Sequence, residues 1–232
     1  MRILAIDTAT EACSAAVLEE GRMALRYAEL GRGHAEHILG MVDEVLAEMR
    51  LQLNELDALA FGRGPGAFTG ARLAASVAQG LAFGASLRVI PVSDLQALAQ
   101  RALDESSGAA FGVLAASDAR MGEVYWACYG RGTKGTVEPV GPERIGPPEG
   151  VVLPAGLPTP VTAVGRAFRA YPQMRVRLEA HLTGIRDDLL PRAGEIARLA
   201  ALELAAGRTL APEEARPVYL RDEVATPRPS RD

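Results

Sequence analysis

No stretch of the 232-residue sequence stays hydrophobic for long enough to cross a membrane. A membrane-spanning helix needs roughly 18 or more apolar residues in a row, and no run reaches that length although 48% of the residues are hydrophobic. The chain begins with a strand-like segment that runs directly into Asp7, without the long apolar core and small-residue cleavage site of a signal peptide. We therefore expect a cytoplasmic globular protein of one domain or two lobes, without membrane insertion.

Cysteine and positive charge are also scarce. The two cysteines, Cys13 and Cys128, fall inside strand-like apolar runs, where free buried thiols are expected rather than a disulfide or a catalytic cysteine. The 25 basic residues are outnumbered by 29 acidic residues, so the formal net charge is -4. Because Lys and Arg supply most of the affinity for nucleic acid phosphates, we do not expect this chain to bind a nucleic acid unaided.

The signatures of metal enzymes and serine hydrolases are missing as well. His34 and His37 lie three residues apart, whereas the zincin arrangement needs histidines at i and i+4 and a further ligand. No G-x-S-x-G elbow occurs, and Ser93 beside Asp94 has no evident histidine base. We expect no metal site, and surface or interface roles for the two histidines.

The most informative segment that is present is a glycine-rich turn at residues 62–70, between an apolar strand at 56–61 and an Ala-rich helix at 69–84. Glycines allow positive φ angles and close backbone approach, and the helix N-terminus that follows exposes free amide groups. Such a loop either binds a phosphate or is a purely structural tight turn. Its pattern matches neither the Walker A motif nor the dinucleotide-binding fingerprint.

The other predicted elements alternate between strands and helices, which indicates an α/β protein. We expect further strands at 2–7, 13–19, 22–29, 88–90, 111–117, 122–129 and 161–165, a turn at Asp118-Ala119-Arg120, and further helices at 34–49, 94–103 and 191–206. The polar segment at 104–110 predicts a first lobe at 1–106 and a smaller second lobe at 107–222. The helix at 191–206 is free to pack back on the first lobe, and 223–232 is expected to be a flexible tail.

Several motifs of the chain together resemble the TsaB (YeaZ) family. The glycine loop reads Gly-x-Gly-Pro-Gly-x-Phe-Thr-Gly-x-Arg, which is typical of that family, and similar stretches occur at 6–10, 117–125 and 217–221. The resemblance covers essentially the whole sequence. It implies an actin-like or sugar-kinase-like α/β fold of two lobes, with mixed sheets flanked by helices and a reduced second lobe.

The resemblance also assigns a role to the loops after the first strand and the glycine turn. In ATP-binding relatives these places hold phosphate loops, so Asp7, Thr8, Gly64 and Gly66 would form a vestigial phosphate loop. The alternative is a turn in which the Asp and Thr side chains bond to nearby backbone amides.

Three features of the active relatives have no counterpart in this chain. TsaD-like enzymes hold a metal with two histidines, and the matching positions here are Asp94 and Leu98. Ala119 and Arg120 stand where a second phosphate loop needs glycines, and Gly165 stands alone where an adenosine-binding turn needs several. The resemblance therefore implies a protein that is not an enzyme and needs no cofactor.

What the resemblance implies is a non-catalytic scaffold required for threonylcarbamoyl transfer to adenosine 37 of tRNAs. It would bind a TsaD-like transferase as a heterodimer and activate it, a TsaE-like ATPase would join the larger assembly, and tRNA would bind only through the complex. The isolated chain could form a homodimer. The alternative is an ATP-dependent transferase or kinase of actin-like fold, supported by the retained Asp7 and glycine loop.

The two helices at 34–49 and 69–84 carry more apolar residues than one sheet face needs, so part of them is expected to be exposed as the surface that docks the partner. TsaB-like proteins are thought to meet TsaD by pairing equivalent helices. The expected interface residues are Ile38, Met41, Val42, Val45, Leu46, Met49, Leu73, Ala74, Val77 and Leu81.

Overall fold

The structure is a computed structural model that describes residues 1–106, 112–132 and 134–221. Two sheets organise it. In chain order, the elements of the first part are β1 (Arg2–Asp7), β2 (Ala12–Glu19), β3 (Arg22–Glu29), α1 (His34–Met49), β4 (Ala58–Gly62), α2 (Phe68–Gly84), β5 (Arg88–Val92) and α3 (Asp94–Asp104).

The first sheet has the strand order β3-β2-β1-β4-β5. The first three strands are antiparallel, and Glu20 and Gly21, both with positive φ, turn the chain between β2 and β3. β1, β4 and β5 are parallel neighbours, so their carboxyl ends meet at one edge of the sheet. That edge carries the loops of the candidate site.

Helices cover both faces of the first sheet because side chains alternate along each strand. Leu4 and Ile6 of β1 point to one face, where they pack with α1 and α2. Ile3 and Ala5 point to the other face, against the last helix of the chain. This layering buries the strands on both sides, as their nearly continuous apolar sequences require.

The second sheet has the order β11-β10-β6-β7-β8, and β9 pairs with the other end of β7. The β6–β7 hairpin is antiparallel, whereas β6, β10 and β11 are parallel. The elements are β6 (Gly112–Arg120), β7 (Glu123–Arg131), β8 (Val137–Pro139), β9 (Arg144–Gly146), β10 (Val161–Val164), α4 (Ala167–Ala170), α5 (Pro172–Leu178), β11 (Gly184–Arg186) and α6 (Ala193–Ala205).

Two helices tie the sheets together. α3 is capped by Ser93, whose side chain accepts from the Gln96 amide, and its Leu95 and Leu98 pack against the second sheet. α6 lies against the first sheet although it follows the second in sequence, with Ile196 buried there. The boundary between two lobes at residue 106 remains a proposal.

The predicted α/β architecture of two mixed sheets flanked by helices is confirmed. The predicted turn at Asp118-Ala119-Arg120 is wrong, because β6 continues through a bulge to Arg120 and the chain turns at Met121 and Gly122 instead. Residues 107–110 of the predicted junction at 104–110, residue 111 at the predicted start of a strand, and the tail at 223–232 lie outside the described residues. Among the described residues, no helix combines the length and apolar character needed to cross a bilayer.

Candidate functional site

The candidate site is formed by two loops that leave the same edge of the first sheet. We call residues 7–10, after β1, the first-strand loop, and residues 62–70, after β4, the glycine loop. They emerge side by side because β1 and β4 are parallel neighbours, and ligand sites in open α/β sheets typically lie at such edges. Asp7, Thr8, Gly64 and Gly66, the residues expected to form a vestigial phosphate loop, all lie here.

Backbone and side-chain hydrogen bonds join the two loops. The Ala67 amide donates to the Ala9 carbonyl at 2.7 Å, and the Thr8 hydroxyl donates to the Gly70 carbonyl at 2.7 Å. Thr8 is buried by these contacts. The first-strand loop and the glycine loop therefore form one interlocked unit.

The glycines of this unit are needed for close backbone approach. A side chain on Gly66 would collide with the Ala9 carbonyl oxygen, and one on Gly70 would collide with the Thr8 carbonyl oxygen. Gly64 adopts a φ of +93°, which favours glycine. Close packing and a positive φ angle therefore explain why glycine occupies these three positions, as expected for a tight turn.

Below the loops lies a buried pair of carboxyl groups, which the sequence patterns did not indicate. Asp7 ends β1 and Asp94 begins α3, and both side chains are buried. The two carboxyl groups are neighbours, since a Cβ on Gly62 would lie 2.8 Å from Asp7 Oδ1 and 2.5 Å from Asp94 Oδ1. Asp7 Oδ1 accepts from the Ala9 amide at 2.8 Å, and Asp94 Oδ2 accepts from the Gly64 amide at 2.5 Å. Burial raises the pKa of each carboxyl group, and the charge of Asp7 raises the pKa of Asp94 further.

Between the two sheets, the loops open into a cavity of about 370 Å³. Its walls mix apolar and aromatic side chains with three arginines and two acids, and its size is within the range of small-molecule sites. The residues that line it are Ala9, Thr10, Glu11, Gly31, Gly66, Ala67, Phe68, Ala71, Ser117, Asp118, Ala119, Arg120, Tyr125, Arg166, Leu190, Val218, Tyr219 and Arg221.

The chain segment at 216–221, which we call the C-terminal strap, crosses one side of this cavity. Its Val218 amide donates to the Arg63 carbonyl of the glycine loop at 2.8 Å. Its Arg221 guanidinium donates to the Ala119 carbonyl of β6 at 3.2 Å and pairs with Glu123 of β7. The strap therefore connects the glycine loop to the second sheet.

An aromatic cluster lies where the strap meets the start of α2. The rings of Phe68 and Tyr219 are 5.5 Å apart, and the Arg72 guanidinium stacks 3.7 Å over Phe68 while donating to the Tyr219 hydroxyl at 2.7 Å. Both aromatic residues keep more than a third of their surface exposed. The similarity of 217–221 to a TsaB motif was the one sequence signal for this segment.

The structure corrects the expected docking surface on α1 and α2. The prediction of exposure is wrong for the residues that are buried. Five of them belong to the core cluster of the first sheet, namely Ile38, Val42, Val45, Leu46 and Met49, and Ala74 is buried as well. The first sheet buries more of these apolar side chains than the sequence analysis expected. The reason is its width, because it has five strands and α1 spans three of them. Met41, Leu73, Val77 and Leu81 remain partly exposed.

The outer surface of the second half of α2, from Ser76 to Gly84, is built from small residues and one large apolar residue. Ser76, Gly80 and Gly84 follow each other at spacing four and are exposed, and a Cβ on Gly80 would meet no atom within 4 Å. Phe83 stands beside them with 78% of its surface exposed. This face of α2 is open to close approach by another helix.

The candidate metal-binding positions lie apart from one another. His34 Nε2 is 3.0 Å from the Thr10 carbonyl oxygen, so this histidine ties α1 to the first-strand loop, whereas His37 is exposed. Leu98 is buried in the apolar cluster between α3 and the second sheet. Within the described residues, no group of three or more His, Cys, Asp or Glu is placed to hold a metal ion.

Comparison with known proteins identifies the family. Residues 28–226 match the protein-family model described as "TsaD: tRNA N6-adenosine threonylcarbamoyltransferase". The chain is 44% identical to the tRNA threonylcarbamoyladenosine biosynthesis protein TsaB of Escherichia coli K12, covering 97% of this chain and 96% of that protein. It is 42% identical to the Haemophilus influenzae protein of the same name, with 97% and 95% covered.

Solved structures agree with the sequence relatives. YeaZ from Pseudomonas aeruginosa is 42% identical and superposes with a TM-score of 0.85 over 94% of this chain and 99% of that chain. A Pseudomonas aeruginosa protein described as similar to peptidase YEAZ gives 41% identity and a TM-score of 0.84 over 95% and 99%. The expected actin-like α/β fold is thus confirmed, and the chain belongs to the TsaB (YeaZ) family.

Proposed function

We propose that the chain is a non-catalytic, cytoplasmic subunit of the system that transfers threonylcarbamoyl to adenosine 37 of tRNAs. In this proposal it binds a TsaD-like transferase as a heterodimer and activates it, and the transfer takes place on that partner. The observation that carries the proposal is the similarity, over nearly the whole length of both proteins, to relatives named tRNA threonylcarbamoyladenosine biosynthesis proteins.

The internal bonding of the glycine loop supports the lack of catalysis. A phosphate loop uses free backbone amides to hold its ligand. Here the Gly64 amide donates to Asp94 and the Ala67 amide donates to Ala9, so two amides of the loop already have partners within the chain. Leu98, at a position where the active relatives hold a metal, is packed in an apolar cluster.

The exposed side of α2 supports a helix partner. Small residues at spacing four let another helix approach closely, and Phe83 offers a large apolar side chain to the contact. We place the docking surface on Met41, Leu73, Val77, Leu81, Gly80 and Phe83. The buried residues of the expected interface would contribute indirectly, because their packing in the core positions α1 and α2.

Charge favours a different partner over a second copy of the chain. The exposed side of α1 carries Glu36 and Asp43, as well as Glu44 and Glu48, which pair with Arg26 at 2.7 and 2.8 Å. Two copies that met through α1 would bring like charges together, whereas a basic partner helix would complement them. A homodimer through this face should therefore strengthen as salt is added, and the heterodimer should weaken.

The cavity supports the alternative function, which is an ATP-dependent transferase or kinase active by itself. It has the volume of a small-molecule site, and Arg120, Arg166 and Arg221 lie on its walls. Under this alternative the isolated chain would bind ATP, and removing a cavity arginine would weaken that binding.

Co-purification tests the proposal. The tagged chain, expressed with the TsaD-like and TsaE-like proteins of its own organism, should retain the TsaD-like protein at a one-to-one ratio and recruit the TsaE-like ATPase only when that transferase is present. tRNA should bind the assembled complex and not the free chain. A chain that elutes alone under all salt concentrations, while binding ATP by calorimetry, would favour the alternative.

A further inference from the structure

Asp7 and Asp94 are two acidic side chains buried next to each other, and the proposed function gives them no role. Both side chains are enclosed, and one oxygen of each, Asp7 Oδ2 and Asp94 Oδ1, has no hydrogen-bond donor among the described residues. Gly62 lies directly over the pair, and a side chain there would collide with both carboxyl groups. Position 62 therefore has no room for a side chain that could neutralise the two acids.

Two ionised carboxylates in this position would repel each other without compensation. Burial and a like charge each disfavour the second ionisation, so carboxyl groups held in contact commonly keep one proton between them. A proton on one member turns two repelling acceptors into a donor and an acceptor. Such a proton would supply the donor that the buried oxygens Asp7 Oδ2 and Asp94 Oδ1 lack among the described residues.

We propose that Asp7 and Asp94 share one proton, and that this pair is a proton-dependent latch that holds the first-strand loop against the glycine loop. Each acid accepts an amide from one of the two loops: Asp7 from Ala9, and Asp94 from Gly64. A shared proton between the two acids therefore also holds the first-strand loop to the glycine loop. This connection lies below the hydrogen bond from the Ala67 amide to the Ala9 carbonyl. Loss of the proton would separate the loops and loosen the wall of the cavity that they form.

The charged and titratable groups around the pair come from three other elements. His34, at the start of α1, and Arg63, after β4, each favour ionisation of the acid nearest to them, Asp7 and Asp94 respectively. Cys13 of β2 is close enough to Asp7 for its own pKa to rise. Neither His34 nor Arg63 is hydrogen-bonded to the pair within the described chain, so neither side chain replaces the proton.

The proton gives the latch a defined pH dependence. Because burial raises the folded-state pKa of both acids above the unfolded value of about 4, the folded chain binds more protons than the unfolded chain above that pH. The contribution of the pair to stability is therefore complete below about pH 4 and is lost as pH rises through the folded-state pKa values.

Asparagine substitutions test the shared proton because an amide carries one acceptor and one donor. In Asp94→Asn the oxygen can accept the Gly64 amide while the amide group donates to Asp7, and Asp7→Asn works in the same way from the other side. Each single variant should melt at or above the temperature of the parent at pH 8, and the gain should grow with pH. The double variant places two donors face to face and should melt lower than either single variant by on the order of 5 °C.

Two further readouts separate the latch from general stability. Infrared spectra of the folded parent at pH 7 should contain a protonated carboxyl band from a buried acid, and both single variants should lack it. Hydrogen exchange in the double variant should speed up at the Ala67 amide and stay unchanged at the Val89 amide, which donates to Leu210 far from the pair. The proposal is overturned if the parent lacks the band, if the single variants are both destabilised with additive effects, or if exchange at Ala67 does not change.

Discussion

At the scale of single residues, the glycine loop shows how a nucleotide-like pattern can serve internal packing. Gly66 and Gly70 lie against the carbonyl oxygens of the first-strand loop, and neither position can hold a side chain. From sequence alone, the same glycines fit either a phosphate site or a tight turn. The structure identifies the atoms that a side chain at either position would meet, so these two glycines have a reason in packing under both interpretations.

Gly66→Ala should destabilise the protein by on the order of 2 kcal/mol, since the new methyl group can fit only if the two loops move apart. Gly40→Ala is the matched control. Gly40 lies in the middle of α1, and a Cβ at this position would meet no atom within 4 Å, so the same change there should stabilise the helix by about 0.5–1 kcal/mol. Urea unfolding of both variants checks the contrast, and equal effects would contradict it.

The two thiols should resist alkylation in the folded protein. Burial raises the pKa of Cys13 and of Cys128 to about 11, so little thiolate exists at neutral pH. Iodoacetamide labelling at pH 8 should be slow in buffer and fast in urea, with both cysteines modified once the chain unfolds. Rapid labelling of either cysteine in the native protein would show that its surroundings open readily to solvent.

At the scale of elements, α1 and α2 show why helix prediction does not identify a surface. Both helices occur almost where the apolar periodicity predicts them, but periodicity reports only that one face is apolar, not what covers it. Val45 is fully buried. Val45→Asp should therefore unfold the chain by placing a charge in the core, costing at least about 3 kcal/mol, and it cannot test docking.

Gly80→Arg is the variant that tests docking through α2. The position is exposed and has no neighbour within 4 Å of a Cβ, so the melting temperature should stay close to that of the parent. A long charged side chain on this stripe should keep a partner helix away and weaken binding to the TsaD-like subunit at least about tenfold. Val176→Arg, a change at a residue 73% exposed on α5, should leave binding intact.

If calorimetry finds the same affinity for Gly80→Arg and the parent, the docking surface does not include the outer face of α2. Loss of binding in Val176→Arg as well would point to a nonspecific effect of the added charge.

The C-terminal strap makes a separate prediction at this scale. Arg221→Ala removes the hydrogen bonds to Ala119 and Glu123 that join the strap to the β6–β7 hairpin. Because these groups are only partly buried, the loss should be modest, about 1–2 kcal/mol. Hydrogen exchange should increase in the hairpin around Met121 and remain unchanged in α1. An unchanged hairpin would mean that the strap does not hold it.

At the scale of the whole molecule, local patterns predicted the elements well. The strand-like runs of β1 to β3, the helix predicted at 94–103 and the apolar run of α6 each follow from short-range chemistry, and the structure contains all of them. The two-sheet architecture came from resemblance to a family rather than from periodicity. Periodicity cannot tell which strands will be neighbours when they lie far apart in the chain.

Two features that sequence did not predict, the buried acid pair and the contact of the strap, depend on contacts between distant segments. Asp7 ends β1 and Asp94 begins α3, so most strands of the first sheet lie between them in the sequence. No local sequence pattern indicates that the two side chains are neighbours. The strap meets the glycine loop across an even longer separation, from Val218 to Arg63. The turn at Met121 and Gly122 was missed because a bulge extends β6 by residues that read locally as a turn.

We propose that this chain enables catalysis by a TsaD-like partner without performing it. An omission series tests it most directly: the chain, the TsaD-like transferase and the TsaE-like ATPase of one organism are mixed with tRNA and threonylcarbamoyl-adenylate, and the modified nucleoside is measured by mass spectrometry. We predict modification when the chain and the transferase are both present, little with the transferase alone, and none with the chain alone. Modification by the chain alone, or equal modification with and without it, would contradict the account.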